Sequence, residues 1–395
     1  MVPTSSTPSR RALLTGIGAG LATALAGCLS QSQPSGDLGD VADAWPMAGQ
    51  NASHMRQVDA GPTDPDPVWE VELDAARSTG TPVLAGGRLY APVDAISEIA
   101  RHRYRLHALS AATGNERWQV PLRTEPNGPP AVSGDHVVVT AKRALEQGRI
   151  VGFETQYGAE DWLVDIDARL TAPPTIANGV VYAPDWRGRV HALLLADGTE
   201  LWSRDVDIDG GRGTFANAVA VRDGTAYVGS QSGATGLVAL DTQTGDVQWT
   251  ASTPAITGGP VVHSNGIVVQ SHQLVIAFDH EGTRKWTFNV REDTQRPLAV
   301  DDQHVYAATQ DALYAIDWTG EKAWVREATG AQFGAPTVAG DSVLVRGNGQ
   351  LIARSCSTGD ERWTTNTSGR GRMIVAPAAV FLADSATVTA LGNPE

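Results

Sequence analysis

Only two cysteines occur in the 395 residues, Cys28 and Cys356, and they lie far apart. That excludes a disulfide framework and a cysteine-rich zinc site. Lysine is almost missing: Lys142, Lys285 and Lys322 are the only three among 30 basic residues. The formal net charge is −14, so the basic footprint of a nucleic-acid binder is lacking and no nucleic-acid partner is expected. No run of about 20 strongly apolar residues is present to cross a membrane. The nine histidines show no metal-ligand spacing. Neither a Gly-x-Ser-x-Gly elbow nor a phosphate loop is found.

What is present has the proportions of a folded chain, 42% hydrophobic and 19% charged. Its acidity comes from 29 Asp and 15 Glu, and its basic residues are 27 Arg. A GC-rich coding sequence favours arginine in this way. The high negative charge points further, to a salt-adapted surface.

The first residues read as an address. Ser9-Arg10-Arg11-Ala12-Leu13-Leu14 precedes a weakly apolar run from Thr15 to Gly27. A cationic start, an apolar middle and small residues before a cut site make a signal peptide, here 1–27. The paired arginines resemble a twin-arginine export signal. Leu25-Ala26-Gly27-Cys28 resembles a lipobox, which would make Cys28 the lipidated first residue of the mature protein. Residues 28–44 then form the lipidated cysteine and a polar, flexible tether. Stable attachment requires more than one acyl or ether chain on Cys28. Together with the salt-adapted charge, this points to a haloarchaeal lipoprotein on the outer face of the cytoplasmic membrane.

From residue 45 to 395 one unit repeats. In Leu237–Trp249 an apolar strand ends at Asp241, a turn reaches Gly245, and a second strand begins around Trp249. The pattern recurs with tryptophans at 118, 162, 202, 249, 286, 324 and 363, each four residues after a glycine. That glycine suits a short hairpin loop whose last residue needs positive φ. Asp241, Asp279 and Asp317 are placed to cap the turn. Each copy is preceded by two short apolar strands around a polar turn, as in Gly259–Gln270. Four strands per unit make a propeller blade.

The chain ends supply the eighth blade. Thr387–Leu391 begins a copy that stops before its tryptophan, and Pro67–Leu73 carries a lone Trp69. Joined, they close an all-β, single eight-bladed propeller of four-stranded antiparallel blades and remove the free edge. Trp69, Trp118, Trp162, Trp202, Trp249, Trp286, Trp324 and Trp363 are expected to dock blade on blade. They are core residues, and a monomer is expected.

Ala239-x-Asp241-x-x-Thr244-Gly245-x-x-x-Trp249 resembles the tryptophan-docking repeat of quinoprotein alcohol dehydrogenases, over essentially Trp45 to Leu391. Trp45-Pro46-Met47-Ala48-Gly49 is similar to the segment that begins such propellers. The family includes enzymes holding pyrroloquinoline quinone (PQQ) and calcium. It also includes cofactor-free members such as the lipoprotein propeller of the bacterial barrel assembly machinery. In an archaeon without an outer membrane, barrel assembly itself would be excluded. The resemblance implies the fold; chemistry must come from a site. Many of the enzymes carry an adjacent cysteine pair over the quinone and a calcium-binding acidic cluster, and neither is recognisable here. No catalytic residue, metal or cofactor is therefore expected, with PQQ and calcium reserved for the alternative of a dehydrogenase. Cys356 reads as a small residue or a free thiol, with no basic partner in sequence.

Propeller topology places the loops after each Trp-led strand on one face, with the loops joining second and third strands. Basic and acidic residues nearly balance there, so the negative excess lies elsewhere on the ring. Arg169, Arg212, Arg296 and Arg372, just ahead of innermost strands, are expected to form a locally positive mouth for an anionic ligand or an acidic protein segment. Trp186, in Pro184-Asp-Trp-Arg-Gly188, is placed to stack on a planar ligand or to cover a blade edge. Arg189, Arg326 and Arg346 are counted with the same loops. The functional expectation is a non-enzymatic, lipid-anchored binding scaffold; the alternative is a PQQ-dependent dehydrogenase.

Overall fold

Alternation and burial divide each repeat between interior and surface. The inner strands are near-continuous apolar runs, such as His304–Ala308, buried along their whole length. The outermost strand alternates, as in Arg284–Asn289, where every second side chain is exposed. A sheet stacked between two neighbours and open at its outer edge requires this pattern. The computed structural model describes residues 36–73, 76–95, 103–208, 211–212, 214–215, 217–231, 235–294, 296–328, 332–367 and 372–393.

The strands form eight four-stranded antiparallel blades, with Gln57–Val58 added in parallel to the innermost strand of one of them and a separate two-stranded hairpin of Asp207–Ile208 with Gly211–Arg212, and we number the blades in chain order. Blade 1 runs from Val83–Ala85 to Glu116–Leu122, preceded by Ala76–Thr79, which pairs with the far end of the same second strand. Blades 2 to 7 begin with Ala131–Ser133, Thr175–Ala177, Ala220–Arg222, Val261–His263, Ala299–Val300 and Thr337–Ala339. Blade 8 holds Arg372–Ala376, Ala379–Asp384 and Thr387–Gly392, and takes Asp66–Glu72 as its outer strand. Trp69 sits opposite Ala390 in that pair. Beside the seam, the Asn393 side-chain amide donates to Thr63 O and accepts from Thr63 N. The ring closes through its own termini, which leaves no unpaired strand edge at the join.

Seven seams share one fastener. The indole N–H of Trp69 donates to Ala111 O, and those of Trp118, Trp162, Trp202, Trp249, Trp286 and Trp324 donate to Thr155, Leu195, Thr242, His280, Trp318 and Cys356 O, at 2.8–3.2 Å. Each acceptor lies in the last turn of the next blade. The glycine of that turn is required twice over. Gly198 has φ +72°, and a Cβ on it would stand 2.6 Å from the Trp162 ring. Trp363 has no such partner among the described residues. That seam is fastened by Arg346, which pairs with Asp384 at 3.1 Å, and by Thr365, which donates to Pro65 O.

The axis is filled by the segment that leads into the repeat. An innermost strand presents backbone N–H groups to the axis, and these need acceptors. Trp45 and Leu84 exchange two backbone bonds in blade 1. Val132, Val221, Val262, Val300 and Val338, at the matching register in blades 2, 4, 5, 6 and 7, donate to Pro46, Ala52, Ser53, Met55 and Arg56 O at 2.7–3.0 Å. The segment thus serves six blades in ring order. Its sharp path uses left-handed backbone at Gln50, His54 and Arg56, with φ of 83°, 60° and 52°. Such conformations are costly for non-glycine residues, and the seven ladder bonds hold them.

Residues 36–44 fall in the expected tether but pack on the ring. Leu38 N donates to Ala112 O, Asp43 accepts from Gly87 N, and Val41 and Ala44 are buried. The chain therefore enters on the face made by the first-to-second and third-to-fourth strand turns.

Candidate functional site

The two faces of the ring are made of different material. The turn face repeats one motif in which each polar group is spent locally. Asp241 accepts from the N–H groups of Gln243 and Thr244 at 2.8 and 2.9 Å, and these bonds hold its carboxyl below the usual range. The opposite face carries the irregular loops, and its cations fall into two sets.

The outer set is paired. Arg103 grips Asp94 through Nε and Nη2, both at 2.6 Å, and also lies over the Tyr104 ring. Arg189 grips Asp205 in the same manner at 2.9 and 2.6 Å. Arg143 and Arg149 share Asp165, Lys142 meets Glu125, Arg123 meets Glu160, and Arg291 meets Glu327. Two residues counted with these loops are placed otherwise. Arg326 lies within the strand Lys322–Glu327 and reaches Thr358 O and Asp360 of the next blade. Arg346 lies within Ser342–Gly347, almost fully buried, as the fastener to Asp384. A charged residue amid Val343-Leu-Val-Arg346 was the available signal, since arginine is rarely buried without a partner.

The inner set has no carboxylate partner among the described residues. Arg169 lies over the Trp186 ring, 5.2 Å from its centroid, with Nε buried and lacking an acceptor. This joins two of the expected mouth residues in one stack; Trp186 is 38% exposed. Arg296 is half-buried, and desolvation lowers its pKa. Arg372 is exposed and donates Nη1 to Thr79 O at 2.9 Å. The backbone of Arg212 pairs with Asp207 in a short hairpin. Its side chain, and the expected lipidation residue Cys28 with the expected signal segment, lie outside the described residues. The inner arginines stand at blades 3, 4, 6 and 8, around the face and not in one cluster.

A cleft of about 380 Å³ opens beside Arg372. Its lining includes Tyr104, Asn127 and three prolines, Pro92, Pro126 and Pro129. The buried Nδ2 of Asn127 has no hydrogen-bond partner. Neither this cleft nor the axial segment was foreseen from the repeat, because both depend on how non-repeating residues meet across blades.

The fit of a quinone and calcium can be judged from the residues present. Among the described residues, no three of His, Cys, Asp or Glu converge to hold a metal ion. Trp186, the exposed aromatic of this face, already carries a guanidinium on its ring. The described residues therefore do not fit a calcium–quinone pair. Cys356 is buried, with its thiol pushed up to about 12 by desolvation, which disfavours a thiolate.

Comparison with known proteins agrees with the repeat. The family described as outer membrane protein assembly factor BamB matches residues 56–281 and 271–393. The chain belongs to this family. A BamB of Nitrosomonas eutropha is 23% identical over 260 residues, covering 62% of this chain and 59% of that protein. The match thus spans less than two thirds of that relative. A quinohemoprotein alcohol dehydrogenase of Comamonas testosteroni is 29% identical over 162 residues, 35% of this chain and 23% of that protein. The crystal structure of BamB from Moraxella catarrhalis superposes with a TM-score of 0.66 at 18% identity, covering 83% of this chain and 98% of that one. At that identity the likeness speaks for the fold alone.

Proposed function

We propose that the protein is a non-enzymatic propeller scaffold, exported by the twin-arginine route and anchored through a lipid on Cys28 to the outer face of the cytoplasmic membrane. Its loop-rich face binds a protein partner or an anionic ligand. The observation that carries this reading is the division of that face: outer cations are neutralised by neighbouring carboxylates, while Arg169, Arg296 and Arg372 have none among the described residues. Unpaired guanidinium groups on a recessed face are what an acidic partner recognises. Residues 36–44 pack on the turn face, through Leu38 and Asp43, opposite the loop-rich face. Membership of a family named for an assembly factor supports a role in binding other proteins.

The test is capture from solubilised membranes by the full chain. The wild type is expected to retain a defined partner, and the triple variant Arg169→Glu, Arg296→Glu, Arg372→Glu to lose it while remaining folded. Equal capture by both would end the proposal. Replacing Cys28 by Ala is expected to release the protein from the membrane fraction.

The quinohemoprotein relatives favour a second reading, a PQQ-dependent dehydrogenase. Adding PQQ and Ca²⁺ to the purified protein tests it: a bound-quinone absorbance with dye-linked alcohol oxidation would establish the enzyme.

A further inference from the structure

Three blades meet at the 380 Å³ cleft, next to the seam where the ring closes. Blade 8 contributes Arg372, at the start of its innermost strand. The loop leading into blade 1 contributes Ser78, Gly80 and Thr81, and the loop leading into blade 2 contributes residues 125–129. The lining mixes polar groups with stiff apolar ones: Pro92, Val93, Pro126, Pro129 and the ring of Tyr104. Each carboxylate at the rim is already neutralised, Asp94 by Arg103 and Glu125 by Lys142.

Arg372 is therefore the one lining cation without a carboxylate among the described residues. Its geometry says which ligand it is set for. Thr79 O holds Nη1 at 2.9 Å, and no acceptor among the described residues takes the Nε–Nη2 edge. That edge is the one this protein uses on the same face to grip aspartates side-on: Arg103 with Asp94 and Arg189 with Asp205, each by Nε and Nη2. The parallel pair of N–H groups matches a planar carboxylate in a way a point charge does not. The unpartnered Nδ2 of Asn127 offers a further donor in the lining.

We propose that this cleft is a carboxylate-recognition site for an extended polypeptide segment. An acidic side chain of that segment would take the open edge of Arg372, while its backbone runs between the proline walls and Tyr104. Proline and tyrosine surfaces suit extended chains, because they present area with little side-chain entropy to lose. This inference rests on the scaffold reading and sharpens it to one sector of the face.

The experiment uses the full chain and a fluorescein-labelled AEAEA peptide, read by anisotropy in 1 M NaCl. There the screening length is about 3 Å, so the overall negative charge no longer dominates. Arg372→Gln is expected to weaken binding at least tenfold. Arg372→Lys, which keeps the charge but loses the fork, is expected to weaken it at least threefold. Arg291→Gln, which removes an arginine of the outer set, outside the cleft lining and paired with Glu327, should leave it within twofold. Displacement by millimolar succinate would assign the site to free carboxylic acids instead of a chain and overturn the peptide part of the proposal. Equal affinity of Arg372→Gln and wild type, or an equal loss in Arg291→Gln, would overturn the site itself. A scaffold that captured its partner but failed this test would bind through another sector, so the two failures are distinguishable.

Discussion

The turn face and the loop-rich face of this ring are built from the same strands and spend their polar groups differently. On the turn face, seven indole N–H groups meet seven backbone carbonyls, and aspartates such as Asp241 cap their own turns. On the loop-rich face, Arg169, Arg296 and Arg372 have no carboxylate among the described residues, and Asn127 keeps an amide nitrogen unpartnered among them. A group already satisfied within the fold has little left to give a ligand. The difference teaches where stability is stored and where binding is available.

Five substitutions test that division, from the largest effect to the smallest, each read by chemical denaturation. Trp162→Ala removes a buried indole and its bond to Leu195 O; the expected loss is about 4 kcal/mol. Arg346→Met is the informative exception, a residue on the loop side that serves the fold. Breaking its buried pair with Asp384 is expected to cost about 3 kcal/mol, and little change would place it with the binding arginines.

The third test concerns the axis. Burial lowers the pKa of His54 from 6.5 to about 4, so the unfolded chain takes up a proton where the folded one does not. The stability that neutral His54 contributes is present above pH 6.5 and lost as pH falls toward 4. Across that window the loss is about 3 kcal/mol. His54→Asn, which tolerates the left-handed backbone, should flatten this part of the pH profile; an unchanged profile would remove His54 from the account.

Gly198→Ala places a Cβ against the Trp162 ring in a left-handed turn, for an expected loss of about 2 kcal/mol. Combined with Trp162→Ala the two should be less than additive, since removing the ring removes the clash. Arg189→Gln opens an exposed pair with Asp205 and should cost at most about 1 kcal/mol.

Most of the fold was legible because a repeat states its own period. The tryptophan and the glycine four residues before it recur, so blade number and closure by Asp66–Glu72 follow from counting. The axial segment was not legible, since Trp45 to Arg56 has no strand pattern and its bonds reach six blades far away in sequence. The eight tryptophans also look alike in sequence, yet among the described residues only seven of them donate to a carbonyl of the next blade. The same limit governs the site. An arginine in a loop is visible in sequence, but whether an aspartate closes its fork, as with Arg189, or nothing does, as with Arg372, depends on contacts across strands.

The most direct test of the central claim measures stability and capture together for two sets of variants. The triple Arg169→Glu, Arg296→Glu, Arg372→Glu variant should keep the wild-type denaturation midpoint and lose its membrane partner. Gly198→Ala should lower the midpoint and, under conditions where it remains folded, keep the partner. A triple variant that captures as well as wild type, or a folded Gly198→Ala protein that captures nothing, would contradict the division of labour between the faces.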